Sequence, residues 1–311
     1  MVKTMKKNLS LLTGLIIMAG APYTQAEMPL VFGSTYVSTG ANAVLGGDIV
    51  ANTYFVAGAS TAVDGDIQAG TAITLGADST VGTPGTDIKE TDSGTATTLG
   101  AAAVVSGNAN HGTAFTLGSG ASRGSQSSTA TLMSYSSGQV DVEQNRYNLL
   151  TASNVSDRNV LESTMPSDIT LDPFNDGATL SLGAVETYVY NAASLTTGAG
   201  ITLSLKGAYH FVFNIADMLS LGAGTMIEVD DRVLSVTWNT GGYASVGEQA
   251  EMIGTVFAGG YISTGVDSVI TGANTPSGDY NGGLFSATSY VTIGESCTVE
   301  GASGMAFGPP Q

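Results

Sequence analysis

The residues that recur at fixed spacing in this chain are hydroxyls. Gly70-Thr71-Ala72-Ile73-Thr74-Leu75-Gly76, Gly94-Thr95-Ala96-Thr97-Thr98-Leu99-Gly100 and Gly112-Thr113-Ala114-Phe115-Thr116-Leu117-Gly118 write one pattern three times. The groups that usually carry covalent chemistry show no such order. His111 and His210 stand far apart with no metal-ligand spacing around them, which predicts structural roles. No Gly-x-Ser-x-Gly elbow with triad partners stands out. Asp230-Asp231 falls in a turn between repeats, where solvated charge is the simpler reading. The glycine-rich calcium nonapeptide with its regular Asp is missing, and loop carboxylates offer at most weak Ca²⁺ ligation. No catalytic residue, cofactor or metal site is assigned.

Charge narrows the partners. Lys3, Lys6 and Lys7 precede the apolar run Leu9 to Ala19, and small residues follow. Residues 1–26 therefore read as a signal peptide cut after Ala26, too short to span a bilayer comfortably. Its removal takes three of nine basic residues and none of 26 acidic ones, leaving a net charge of −20 on an exported chain. That balance argues against nucleic acid and anionic membranes. The six remaining cations, Lys89, Arg123, Arg146, Arg158, Lys206 and Arg232, are scattered. A polysaccharide lyase would need Lys or Arg clustered with Asp, so an enzyme is not expected. The lone Cys297 excludes an internal disulfide and reads as a small buried residue.

The hydroxyls belong to a longer repeat. The closing glycine recurs at Gly40, Gly58, Gly76, Gly100 and Gly118, in steps of 18, 18, 24 and 18. It returns at Gly198, Gly222, Gly247, Gly265 and Gly294, in steps of 24, 25, 18 and 29. Insertions such as Thr83-Pro84-Gly85 and Asn274 to Asp279 carry loop residues. Eighteen residues divide into three short strands and three turns, one rung of a triangular β-helix. The predicted fold is an all-β solenoid.

With the glycine as seventh place, the fourth, sixth and twelfth places are mostly apolar and must face the core. The fifth place lies between inward places and points out. It reads Ser38, Val56, Thr74, Thr98, Thr116, Thr196, Ser220, Ser245, Ser263 and Thr292, nine hydroxyls in ten. The third place, also outward, carries Tyr36, Tyr54, Ala72, Ala96, Ala114, Ser194, Met218, Tyr243, Tyr261 and Tyr290. Thr71, Thr95 and Thr113 are expected to point inward or to the corner. Thr also favours strands for its own sake, but that preference predicts Thr on every face. Rungs stacked ~4.8 Å apart turn one face into a rigid grid of methyls and hydroxyls. Such an uncharged, periodic grid suits a periodic, uncharged ligand, either a crystal lattice such as ice or a crystalline polysaccharide.

The period is lost from 125 to 176. Gln139 to Ser153 contains no Gly or Pro and reads as an amphipathic helix lying along the coil, with a further cap at Ser156-Asp157-Arg158-Asn159. The mature chain, 27–311, is thus one domain. First coils are expected at 27–124, a loop and α-helix at 125–176, a second set of coils at 177–305 and a tail at 306–311.

The second set carries ordered motifs. Gly207-Ala208-Tyr209-His210-Phe211-Val212-Phe213 is followed by Val236-Thr237-Trp238-Asn239, then Gly254-Thr255-Val256-Phe257-Ala258, then Ile262-Ser263-Thr264. This order resembles the microbial ice-binding (antifreeze) protein family that has a discontinuous β-helix with an accompanying α-helix. The match covers about 177–301 well and the first coils more loosely. The resemblance implies a discontinuous, right-handed coil in which chain order is not stacking order. It also implies a secreted, monomeric antifreeze protein whose partner is an ice crystal surface, with thermal hysteresis and inhibition of ice recrystallisation. The family's flat Thr-Ala-x-Thr face maps here onto Ala72, Thr74, Ala96, Thr98, Ala114 and Thr116. Ser38, Thr196, Ser220, Ser245, Ser263 and Thr292 continue it. Tyr at the third place departs from that pattern and could join into one patch if first and last rungs are neighbours. The competing expectation is a surface adhesin or structural coil whose tyrosines stack on sugars.

Overall fold

The computed structural model describes residues 29–83, 85–86, 88–128, 136–141, 144, 161–173, 186–272 and 282–301. Each repeat forms three short strands, and the strands stack in parallel into three sheets of eleven. The protein is a β-solenoid of triangular section. Sheet A runs from Gln126–Ser127 to Glu186–Ala192, sheet B from Ala114–Leu117 to Thr164–Met165, and sheet C from Ser122–Arg123 to Ile169–Leu171.

The stacking order is discontinuous. The first rung lies in the middle of the coil, and later N-terminal rungs build away from it to one end. The C-terminal rungs start at the other end and stack back towards the middle. Val31–Gly33 therefore pairs with Ile49–Ala51 on one side and with Gly283–Ser286 on the other. The same junction holds for Tyr36–Thr39 against Val291–Ile293, and for Val44–Leu45 against Thr298–Glu300. The coil is already under way at Thr164–Met165 and Ile169–Leu171, ahead of residue 177. Pro166 takes the seventh place after Thr164–Met165, so no closing glycine reports the repeat phase there. The start of the second set of coils expected from residue 177 lies outside the described residues as far as residue 185, as do Asn274 to Asp279.

The inward places behave as strand alternation demands. Val37, Phe55, Ile73, Leu195, Leu219, Ile262 and Val291 at the fourth place are fully buried, as are Leu45, Val81 and Ile270 at the twelfth. Thr97 sits at the same inward place, and its hydroxyl is satisfied by Ser93 Oγ at 2.8 Å and the Asn110 carbonyl at 3.2 Å. Leu117 keeps the inward place, in register with buried Leu99, but is 43% exposed because its strand is the end strand of sheet B among the described residues. Cys297 is buried, its S–H within 2.7 Å of the Gly265 carbonyl.

The longer repeats between Gly198 and Gly247 are made mainly by longer strands. In sheet A Tyr209–Ile215 has seven residues and Ser235–Thr240 six, and Glu186–Ala192 before them also has seven; in sheet C Thr202–Leu205 and Met226–Val229 have four each. The wider section is filled by aromatic rings. Phe213 stacks on Trp238 at 4.2 Å and on Tyr190 at 5.4 Å.

Residues 137–141 and 144 are helical, and the rest of the expected helix lies outside the described residues. Val140 packs on Phe32, Val50, Phe257 and Phe285, which stand side by side on the outer face of sheet A. Gln144 Nε2 donates to the Thr240 carbonyl at 3.0 Å, and Asn239 Nδ2 donates to the Gln144 carbonyl at 3.3 Å. The described residues of the helix therefore lie on the outer face of sheet A.

The seventh-place glycine permits backbone to lie on backbone. A Cβ on Gly76 would sit 2.6 Å from the Gly58 carbonyl carbon and oxygen. Two residues later each rung turns through a left-handed residue, Asp78 (φ 58) and Ala102 (φ 55) among them. Gly76→Ala is expected to cost about 1–3 kcal/mol by overpacking. Ala102→Gly should be neutral or stabilising by up to ~1 kcal/mol, since its backbone already lies where Cβ is disfavoured. Thermal unfolding by circular dichroism checks both; equal melting temperatures for parent and Gly76→Ala would refute the close-stacking account.

Candidate functional site

Of the three faces, sheet A carries the described residues of the helix. Sheet C carries outward, exposed carboxylates, among them Asp64, Glu228, Glu251 and Glu300. Sheet B is uncovered, and its outward places are free of charge except at the end rung, where exposed Glu162 stands two residues before Thr164. It is the candidate site.

Pairing aligns its fifth places into a single row. From one end it runs Thr116, Thr98, Thr74, Val56, Ser38 and Thr292. It continues through Ser263, Ser245, Ser220 and Thr196 to Thr164. All ten fifth-place residues chosen from the sequence thus stand in one row, and Thr164 completes it. Thr164 was missed because Pro166 takes the seventh place, where the other rungs carry the phasing glycine. Neighbouring hydroxyls approach one another at 3.5 Å for Ser38 and Thr292, and at 3.4 Å for Ser263 and Ser245.

The row has two halves. At one end Ala72, Ala96 and Ala114 occupy the third place, aligned in register. Thr71, Thr95 and Thr113 do not turn inward as one of the two expected orientations had it. They are exposed on the corner. Their backbones stack closely there, with the Thr95 N–H 2.7 Å from the Thr71 carbonyl and the Thr113 N–H 2.7 Å from that of Thr95. The Thr-Ala-x-Thr segments thus form a three-by-three grid, with threonine rows on both sides of an alanine row. Thr at the second place of five successive rungs, from Thr35 to Thr113, was the readable signal. The far corner of this half is lined by Ala77, Ala101 and Ser119, with Asp78 as its one carboxylate.

The other half is built around tyrosines. The junction between first and last rungs joins them into one stack in the order Tyr54, Tyr36, Tyr290, Tyr261, Tyr243. Ring centroids lie 4.9, 4.7, 5.4 and 4.9 Å apart, and planes differ by 5 to 12°. Each inner ring therefore covers its neighbours' faces, leaving edges and hydroxyls to solvent. The Tyr243 hydroxyl donates to Met218 Sδ at 2.8 Å, continuing the stack. The faces of the inner rings are occupied in this way, which leaves the outer face of Tyr54 as the face of the stack open to a sugar on that side. Exposed Glu248, Asp267 and Glu295 flank this half.

Burial pushes the Tyr36 phenol above its ordinary value. Tyr290 and Tyr54 push it further, against a hydrogen bond from Thr292 that acts the other way. Tyr261 is raised by burial, then by Tyr243 and Tyr290.

The histidines are structural. His111 Nε2 lies 2.9 Å from Gln126 Nε2 and its ring stacks on Phe115, while His210 Nδ1 lies 2.7 Å from Ser235 Oγ. Asp230 pairs with Arg232 at 2.6 Å in an exposed turn. Among the described residues no three His, Cys, Asp or Glu converge as a metal-ligand set, and no helix is long and apolar enough to cross a membrane.

No family model matches the chain, and no curated protein does. Solved structures similar to it include an ice-binding protein from the Antarctic ascomycete Antarctomyces psychrotrophicus, at 15% identity over 88% of this chain and 95% of that one, with TM-score 0.44. An ice-binding protein domain of Shewanella frigidimarina is similar at 19% identity over 89% and 95%, with TM-score 0.47. An ice-binding protein from an Antarctic biological consortium is similar at 15% identity over 97% and 96%, with TM-score 0.45.

The raised phenols give a pH dependence with a definite sign. A phenol harder to ionise in the coil than in the unfolded chain contributes its full stability below about pH 10 and loses it as pH rises through the folded value. Phenolate absorbance followed through alkaline pH should show a late-titrating fraction that Tyr36→Phe diminishes. A single transition at the free-tyrosine value would contradict the stack.

Proposed function

We propose that this is an exported ice-binding protein that adsorbs to ice through sheet B and so inhibits ice growth and recrystallisation. The observation that carries the reading is the grid formed by Thr71, Thr95 and Thr113, Ala72, Ala96 and Ala114, and Thr74, Thr98 and Thr116. It is uncharged, repeats at the rung spacing and stands on a continuous backbone ladder. The motif order from Gly207 to Thr264 supports the same reading.

The chemistry is adsorption, with no bond made or broken. Threonine and alanine methyls order water above them, and the flanking hydroxyls hold it in register. Docking a preformed lattice-like water layer needs no large desolvation of charge. The grid residues sit on paired strands, so little conformational entropy is lost on contact. Growth must then proceed around a bound, rigid obstacle. Residues 1–26 supply the export signal, and the strong negative charge keeps the released chain soluble and apart from like-charged surfaces. The domain boundaries proposed are the leader, the first coils, the helical crossing and the returning coils.

Thr98 lies at the centre of one threonine row and tests the face directly. Thr98→Tyr is expected to lower thermal hysteresis about tenfold or more by lifting the grid off the ice, without loss of the coil. Val104→Tyr, on sheet C of the same rung, should leave activity unchanged. The reverse outcome would place the contact on another face.

A further inference from the structure

We propose that the tyrosine stack sets the boundary of the ice-contact plane, with Tyr54 as the residue at its edge. The inference rests on the ice-binding reading and assigns a limit to that same site. Thr53-Tyr54-Phe55-Val56 occupies the places of Thr71-Ala72-Ile73-Thr74 in the adjacent rung, and the two strands pair in register at Tyr54–Ala72, Phe55–Ile73 and Val56–Thr74. Thr53 is already exposed, and its N–H and that of Thr71 continue the corner ladder, bonding the Thr35 and Thr53 carbonyls. The backbone of a fourth grid rung is therefore present. Two side chains interrupt it. The Tyr54 ring, 40% exposed, stands at the place where the grid needs a methyl, and Val56, 37% exposed, lacks the row's hydroxyl.

The ring cannot fold away into the plane. Its inner face is held against Tyr36 at 4.9 Å with planes 5° apart, and Tyr36 is held in turn by Tyr290 at 4.7 Å. The stack thus stands as a rigid step beside the low alanine row. An ice surface seated on Ala72, Ala96 and Ala114 meets that step at Tyr54 and is excluded from Ser38, Thr292, Ser263 and Ser245 beyond it. The hydroxyl row is continuous along the coil, whereas the plane is not. The acidic corner at Glu248, Asp267 and Glu295 lies wholly on the excluded side.

Two variants of the full mature chain test this. Tyr54→Ala with Val56→Thr completes a fourth grid rung. It should lower the concentration for half-maximal inhibition of recrystallisation about tenfold, the affinity that the apolar area of one further rung carries. Ala72→Tyr extends the stack by one ring into the grid, where a neighbouring ring is ready to receive it, and should raise that concentration by about the same factor. Circular dichroism checks the coil in each, and if the double variant does not fold the Ala72→Tyr result decides alone. An active parent abolished by Thr98→Tyr, but indifferent to both stack variants, would overturn the boundary and leave ice binding standing. A parent without ice activity would overturn the reading beneath it.

Discussion

Register is the constraint on which the rest of this structure depends. Each rung must lie on the next without a slip, because a one-residue shift would turn every inward side chain outward. The close approach of corner backbones enforces it. At Gly58 a Cβ would lie 2.4 Å from the Gly40 carbonyl carbon, and at Gly118 2.5 Å from that of Gly100. A side chain at these corners would wedge the rungs apart and break the ladders of all three sheets together. The same lock lets rows of outward side chains run straight from rung to rung, which is the property a lattice-matching surface requires.

The discontinuous winding places the hardest register problem in the middle of the coil. Tyr36–Thr39 must meet Val291–Ile293 across most of the chain's length, with the Gly40 N–H 2.7 Å from the Ile293 carbonyl. Folding the two halves separately would leave both with an open strand edge at this point. Closing it pairs the edges and completes the tyrosine stack, since Tyr36 and Tyr290 belong to opposite halves. Ring-on-ring contact of this kind adds about 0.5–1.5 kcal/mol beyond area burial. The tyrosines thus contribute to closing the junction as well as shaping the surface above it.

Much of this was legible in the sequence because a repeat reports its own phase. The inward rows at Val37, Phe55 and Ile73, and the outward rows at Thr74, Thr98 and Thr116, follow from alternation once one glycine is fixed. The gathering of tyrosines into one patch followed from the resemblance to a coil wound out of order. Three features were not legible. Corner residues such as Thr71 have no alternation to orient them, so their exposure depends on turn geometry. The rung at Thr164 carries Pro166 in place of the closing glycine and so shows no period. The extra residues between Gly198 and Gly247 could have formed loops or longer strands, and the choice was made by the aromatic core of Tyr190, Phe213 and Trp238, which needs the wider section. The occupied faces of the tyrosine rings were equally hidden, because stacking distance is a property of the assembled coil.

The central claim is that one face of this coil binds a crystal lattice of water. Mature protein labelled with a fluorophore on its amines, which among the side chains are only Lys89 and Lys206, both away from the outward rows of sheet B, can be grown into a single-crystal ice hemisphere. The account predicts that fluorescence is incorporated on defined crystal planes. Exclusion of the label from the growing ice, as for any inert solute, would contradict it.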